Sequence, residues 1–146
     1  MPVLFSDASE QEINQSLLLA EQAFNKFRKL NGLTRAKFLE KIGNEVEKNG
    51  NDIVTIAQNE TCLGNTRLEM ELSRTVSEIH TFAKLARSEE WRNLPTQGAG
   101  SSINETRLIT NNIPIGPVLV IGACNFPLAI SVIGTDTISA LSVGCT

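Results

Sequence analysis

Apolar residues recur at spacings of three and four through the first half of the chain, which is the period of a helix with one buried face. Ile13, Leu17, Ala20, Phe24 and Phe27 form the first stripe. Ser9 followed by Glu12 fits a capping box at its start, and Asn31-Gly32 fits its stop. A second helix is predicted after the cap candidate Thr34, with Phe38, Leu39, Ile42 and Val46 inward and Asn49-Gly50 at its end. A third, shorter helix covers about Asp52 to Glu60, with Ile53, Ile56 and Ala57 inward and Gly64 beyond it. Asn65 is placed to cap the fourth and longest helix, whose stripe is Leu68, Leu72, Val76, Ile79, Ala83 and Ala86.

The pattern changes after Trp91. Residues 95–102 carry Pro95, Gly98, Gly100, Ser101 and Ser102 and read as a loop. Residues 103–110 alternate in part and are β-prone, and Asn111-Asn112 suits a bend. Pro117, Val118, Leu119, Val120, Ile121 and Gly122 then make a short apolar run bounded by Pro and Gly, the signature of a strand buried on both faces. Pro127 suits the first turn of a helix. Leu128, Val132, Ile138, Ala140 and Leu141 extend that helix to about Val143, with Gly144 as its stop. The predicted class is α/β: N-terminal helices (1–94), a loop and peripheral strand (95–113), and the first strand-turn-helix unit of an incomplete Rossmann-like sheet (114–146). The strand and its helix are expected to lack covering neighbours, since a parallel strand needs a partner after its crossover.

Composition removes several function classes. The chain has 146 residues, 41% hydrophobic and 20% charged, with a net charge of −3, as expected of a folded domain without a nucleic-acid surface. No apolar run approaches the ~18 residues of a membrane span, and the N-terminus lacks the features of a signal peptide. Cys62, Cys124 and Cys145 fit neither a CxxC pair nor a disulfide framework, and with one histidine, His80, no metal site is expected. A cytoplasmic protein with free thiols is the resulting expectation.

The chemistry concentrates at residues 114–128. A strand ending in Gly122 and Ala123, then Asn125, lies where open α/β sheets bind ligands. Gly122 and Ala123 would let a ligand approach the backbone, and Asn125 offers a neutral amide donor suited to an oxyanion that forms only during reaction. Spacing alone favours Asn125 as a mere cap for the helix beginning near Pro127. Cys124 has no activating base nearby in sequence and is not read as a nucleophile; Cys145 reads as a small packed residue and His80 as a partly exposed helix residue.

The segment from Ile115-Gly116-Pro117 through Asn125-Phe126-Pro127 resembles the Pro-x-Gly-Val…Ile-x-Pro-Trp-Asn-Phe-Pro stretch of the aldehyde dehydrogenases. With Ala129, Ser131, Val132, Gly134, Asp136-Thr137, Ser139-Ala140-Leu141 and Gly144-Cys145, it is most similar to the α-ketoglutaric semialdehyde (2,5-dioxopentanoate) dehydrogenases and their NADP-linked fatty-aldehyde relatives. Glu60-Thr61, Arg67-Leu68, Glu71, Arg74-Thr75 and Trp91 match that branch in order and spacing, so the resemblance covers about residues 9 to 146. The family's Trp before the Asn is Cys124 here; the branch often has Ser.

The resemblance implies a thiolate attacking an aldehyde, an oxyanion held by Asn125 and by the cysteine's own N–H, hydride transfer to NAD or NADP, and a glutamate-activated water. It places Ile121, Gly122, Ala123 and Cys124 at the nicotinamide end of the cofactor cleft. It also likens the segment near residues 106–110 to the strand that family members contribute to an oligomerisation sheet, implying a homo-oligomer. The nucleophile, the base and the residues selecting NAD or NADP fall beyond residue 146 in that family, so the chain alone is expected to be inactive. A competing reading makes residues 9–90 a non-catalytic helical module that binds a partner, or makes the whole chain a decayed copy.

Overall fold

A computed structural model describes residues 6–92 and 110–146. The elements are α1 (Glu10–Phe27), α2 (Gly32–Lys48), α3 (Gly50–Thr61), α4 (Asn65–Ser88), a short 3-10 turn (Glu90–Arg92) and α5 (Thr135–Val143). The peripheral strand near 103–110 falls almost wholly outside the described residues. Ser9 caps α1 in a full capping box with Glu12, as its spacing predicts. The cap of α2 is Asn31, not Thr34: the Asn31 carboxamide oxygen accepts from the Thr34 N–H at 2.9 Å and from its hydroxyl. Gly64, rather than Asn65, precedes the first turn of α4, without a side-chain cap.

The core forms between α2 and α4, which run antiparallel. Gly32 at the start of α2 lies against Ala86 near the end of α4, and Gly43 lies against Ile79 and His80. A Cβ on Gly32 would stand 2.1 Å from the Ala86 carbonyl oxygen, so only glycine permits this approach. Ala36, Leu39, Val46, Ile79, Ala83 and Ala86 close the seam, and Ile138 of α5 packs onto it. Each fully buried Leu or Ile contributes roughly 1.5–3 kcal/mol. A second cluster joins Val54 and Ala57 of α3, Leu68 of α4 and Leu128. In α3 the inward positions include Val54, while Ile56 is exposed, and in α2 Phe38 is exposed as well. The first helix departs further from its pattern. Of its stripe only Phe24 is buried, and Ile13 and Leu17 remain at least half exposed.

The strand-turn-helix unit does not take the predicted form. Residues 117–123 make no β-ladder, and among the described residues no strand is assigned beyond an isolated bridge at Asn111. Leu119 and Ile121 are each 82% exposed, against the expectation of burial on both faces. A strand satisfies its backbone only through neighbours. Among the described residues, the N–H groups of residues 117–123 donate two such bonds: Val118 to the Thr146 carbonyl and Ala123 to the Ile130 carbonyl. The helix expected from Pro127 begins instead at Thr135, after a series of turns over residues 124–133. Its inner side is covered after all, with Leu128, Ala129 and Ile138 buried, while Val132 stays 74% exposed.

Candidate functional site

The Asn125 turn is built by hydrogen bonds from within and anchored from α4. The Phe126 N–H donates to the Ala123 carbonyl, the Ile130 N–H to the Phe126 carbonyl and the Ala123 N–H to the Ile130 carbonyl. From α4, the Glu71 carboxylate accepts from the Leu128 and Ala129 N–H groups at 2.9 and 2.8 Å. One helical turn earlier, the Arg67 guanidinium donates to the Asn125 carbonyl and lies 5.2 Å from the centre of the Phe126 ring. Asn125 itself is exposed, and its side-chain amide makes no hydrogen bond among the described residues. With α5 starting at Thr135, Asn125 caps no helix, and that alternative falls away.

Ile121, Gly122 and Cys124 are exposed and Ala123 is half-buried. The small residue at 122 serves the chain's own packing on one side: a Cβ there would stand 3.3 Å from the Ser131 Cα. The Ala123 N–H is committed to Ile130 and cannot serve a ligand. These four residues are uncharged. A groove of about 190 Å3 between residues 118–120 and α5 is lined by Val120 and Val132 but stops short of Asn125. Cys62 and Cys124 are exposed thiols, Cys145 is buried, and His80 is half-buried against Gly43.

Sequence reasoning missed the polar ladder that holds this region. Arg67, Glu71, Arg74 and Glu78 recur at spacings of four, three and four along α4. Glu78 accepts from the Thr135 hydroxyl at the start of α5 and pairs with Arg74 at 2.8 Å. Partial burial pushes the Glu78 carboxyl up, but the hydrogen bonds from Thr135 and Arg74, with the charge of Arg74, outweigh it and hold the group below its ordinary value. Arg35, fully buried, does similar work at the far end of α5: it donates to the Ser142 carbonyl at 3.1 Å, to the Leu30 carbonyl, and to Glu89 at 3.0 Å. A charged residue at helical spacing beside an apolar stripe is the signal that would have found both.

Comparison with known proteins identifies the family. The profile of the aldehyde dehydrogenase family matches residues 3–146, and the chain belongs to that family. It is 37% identical over 145 residues to α-ketoglutaric semialdehyde dehydrogenase 2 of Azospirillum brasilense, covering 97% of this chain and 28% of that protein. It is 36% identical over 145 residues to the α-ketoglutaric semialdehyde dehydrogenase of Acinetobacter baylyi, with the same coverage. The chain thus spans little more than a quarter of the curated relatives it matches. Among solved structures, HpcC from Thermus thermophilus superposes with a TM-score of 0.83 at 21% identity, over 97% of this chain and 26% of that one. A betaine aldehyde dehydrogenase variant of Staphylococcus aureus, in complex with NAD+, superposes with a TM-score of 0.80 at 20% identity, over 97% of this chain and 27% of that one. Family membership accounts for the segment after Trp91, which a purely helical binding module leaves incidental.

No helix among the described residues is long and apolar enough to cross a membrane, and no group of three or more candidate metal ligands occurs among them.

Proposed function

We propose that this chain is the N-terminal portion of an NAD(P)-dependent aldehyde dehydrogenase that oxidises a semialdehyde, with 2,5-dioxopentanoate the first candidate, to its carboxylate. The observation that carries the reading is the 37% identity to an α-ketoglutaric semialdehyde dehydrogenase, running through the Asn125-Phe126-Pro127 turn. In this reading a cysteine beyond residue 146 attacks the aldehyde, and the Asn125 amide donates a hydrogen bond to the oxygen of the resulting thiohemiacetal. A neutral donor adds little electrostatic stabilisation before reaction and much once the oxygen bears charge. Its freedom from any internal hydrogen bond among the described residues leaves it open to that role. Ile121, Gly122, Ala123 and Cys124 would face the nicotinamide end of NAD or NADP, which accepts the hydride when bound. The working enzyme is a cytoplasmic homo-oligomer in this reading, and the 146-residue chain alone is inactive.

The test is to express the reading frame together with its downstream sequence and assay 2,5-dioxopentanoate against other aldehydes with NAD and with NADP. Asn125→Ala is expected to lower kcat by about 100- to 1000-fold, the usual cost of one oxyanion donor. An unchanged kcat would remove Asn125 from the mechanism, and clear turnover by the isolated 146-residue chain would overturn the reading of it as an incomplete enzyme.

A further inference from the structure

We propose that Glu71 is the positioning residue of the oxyanion site: it holds, from α4, the turn on which Asn125 is carried. The proposal rests on the reading of Asn125 given above. Glu71 is only 6% exposed, although a carboxylate is costly to bury without partners. Its Oε1 accepts from two successive peptide groups, Leu128 and Ala129. These are amides that a single helix-like turn, closed by Ile130 N–H to the Phe126 carbonyl, leaves without partners in its own segment. A charged acceptor bonded to both is stronger than a neutral one and fixes the turn in orientation as well as in position.

The surroundings point the same way. Thr75 donates its hydroxyl to the Glu71 carbonyl on the same helix, and the carboxylate leaves the face that packs Leu68 against Leu128. The Ala129 carbonyl accepts from the Thr135 N–H, so the clamped turn is continuous with α5. Arg67 closes the other side by binding the Asn125 carbonyl itself. The Asn125 side chain is therefore carried on a backbone fastened on both sides to α4, while making no hydrogen bond of its own among the described residues. A reacting-group misplacement of about 1 Å costs on the order of 100-fold in rate, so a clamp of this kind is expected to register in turnover before it registers in binding.

The experiment uses the full-length enzyme with Glu71→Ala, Glu71→Gln, Asn125→Ala and the double variant Glu71→Ala/Asn125→Ala. Glu71→Ala is expected to lower kcat by about 10- to 100-fold per folded molecule, with KM for aldehyde and cofactor changed by less than about threefold. Glu71→Gln, which retains an acceptor oxygen, restores a large part of the loss. In the Asn125→Ala background the Glu71→Ala change costs no further kcat, because the group it positions is gone. Hydrogen exchange at the Leu128 and Ala129 amides accelerates in Glu71→Ala while α2 and α4 stay protected. If Asn125→Ala lowers kcat but the Glu71→Ala loss multiplies with it, Glu71 is structural and the proposal fails while the reading of Asn125 stands. If Asn125→Ala leaves kcat unchanged, that reading itself fails and the proposal falls with it. If Glu71→Ala does not fold, Glu71→Gln and its exchange rates decide: a wild-type kcat with unprotected Leu128 and Ala129 amides overturns the clamp.

Discussion

Leu39 and Leu119 are both expected from the sequence to be buried, yet Leu39 is fully buried and Leu119 is 82% exposed. The difference lies in what each element needs from the rest of the chain. A helix satisfies its own backbone and asks only for a partner to cover one face, and α2 finds it in α4. Residues 117–123 need a neighbour both for their peptide groups and for their side chains, and find little beyond the Thr146 and Ile130 carbonyls. The same holds in milder form between α4, which is covered, and α1, whose Ile13, Leu17, Leu18 and Leu19 are each at least half exposed. Apolar pattern identifies a surface that is better covered; topology decides whether this chain covers it.

The largest effect that sharpens this contrast is expected at Arg35. Its guanidinium joins the Leu30 carbonyl, the C-terminal turn of α5 through Ser142, and Glu89, which occupies a left-handed cap with φ of 52°. Removing one partner of a buried, hydrogen-bonded charge pair typically costs about 3–5 kcal/mol. Glu89 is partly exposed, so a value at the low end is expected, with the carbonyl and carboxylate partners left unpaired. Chemical denaturation of Arg35→Ala measures it. A loss below about 1 kcal/mol would mean that α5 is not fastened to the helical core through this residue.

The next comparison sets Leu68 against Leu119. Leu68 is fully buried in the α3–α4 cluster, so Leu68→Ala should cost roughly 2–5 kcal/mol. Leu119→Ala should change the stability of the short chain by less than about 0.5 kcal/mol, as exposed substitutions do. In the proposed longer enzyme, a strand packed beside residues 117–123 should raise the Leu119 penalty toward that of Leu68. Equal penalties at the two sites in the short chain would show that the strand region is covered there after all.

How far the sequence carries this picture follows the same division. The four N-terminal helices and the Ser9–Glu12 box are legible, because local spacing and local caps decide them. The cap of α2 is easily misassigned because Asn31 and Thr34 are both good cap residues three apart; the one that comes first accepts from the other. The helix after Pro127 misleads because its apolar spacing is real, but the amides of Leu128 and Ala129 are drawn to Glu71 and Gly134 packs against the Ala129 carbonyl. The position of Asn125 in sequence and its family motif are visible in advance. The carboxylate and guanidinium that hold its turn are not, since they act across 57 and 58 residues of chain. No local period encodes a contact of that kind.

The smallest expected effect concerns Glu78, which ties the well-covered α4 to the start of α5 and so spans the two regimes. Its carboxyl is partly exposed; burial there raises its pKa, but the Thr135 and Arg74 contacts stabilise the charged form more strongly and hold it below its ordinary value. A carboxyl depressed on folding stabilises the native state above its unfolded pKa, and that contribution disappears as pH falls through the folded value. At the N-terminus of α5, where Gly134 supplies no side-chain cap, the charged carboxylate also favours the helix dipole. Urea midpoints measured from about pH 7 down to about pH 3 should therefore fall in the wild-type chain across the acid end of the carboxylate range. Glu78→Gln should start lower at neutral pH and show a shallower fall, with the two curves converging in acid. Parallel curves would mean that neither the Thr135 nor the Arg74 contact stabilises the Glu78 carboxylate in solution.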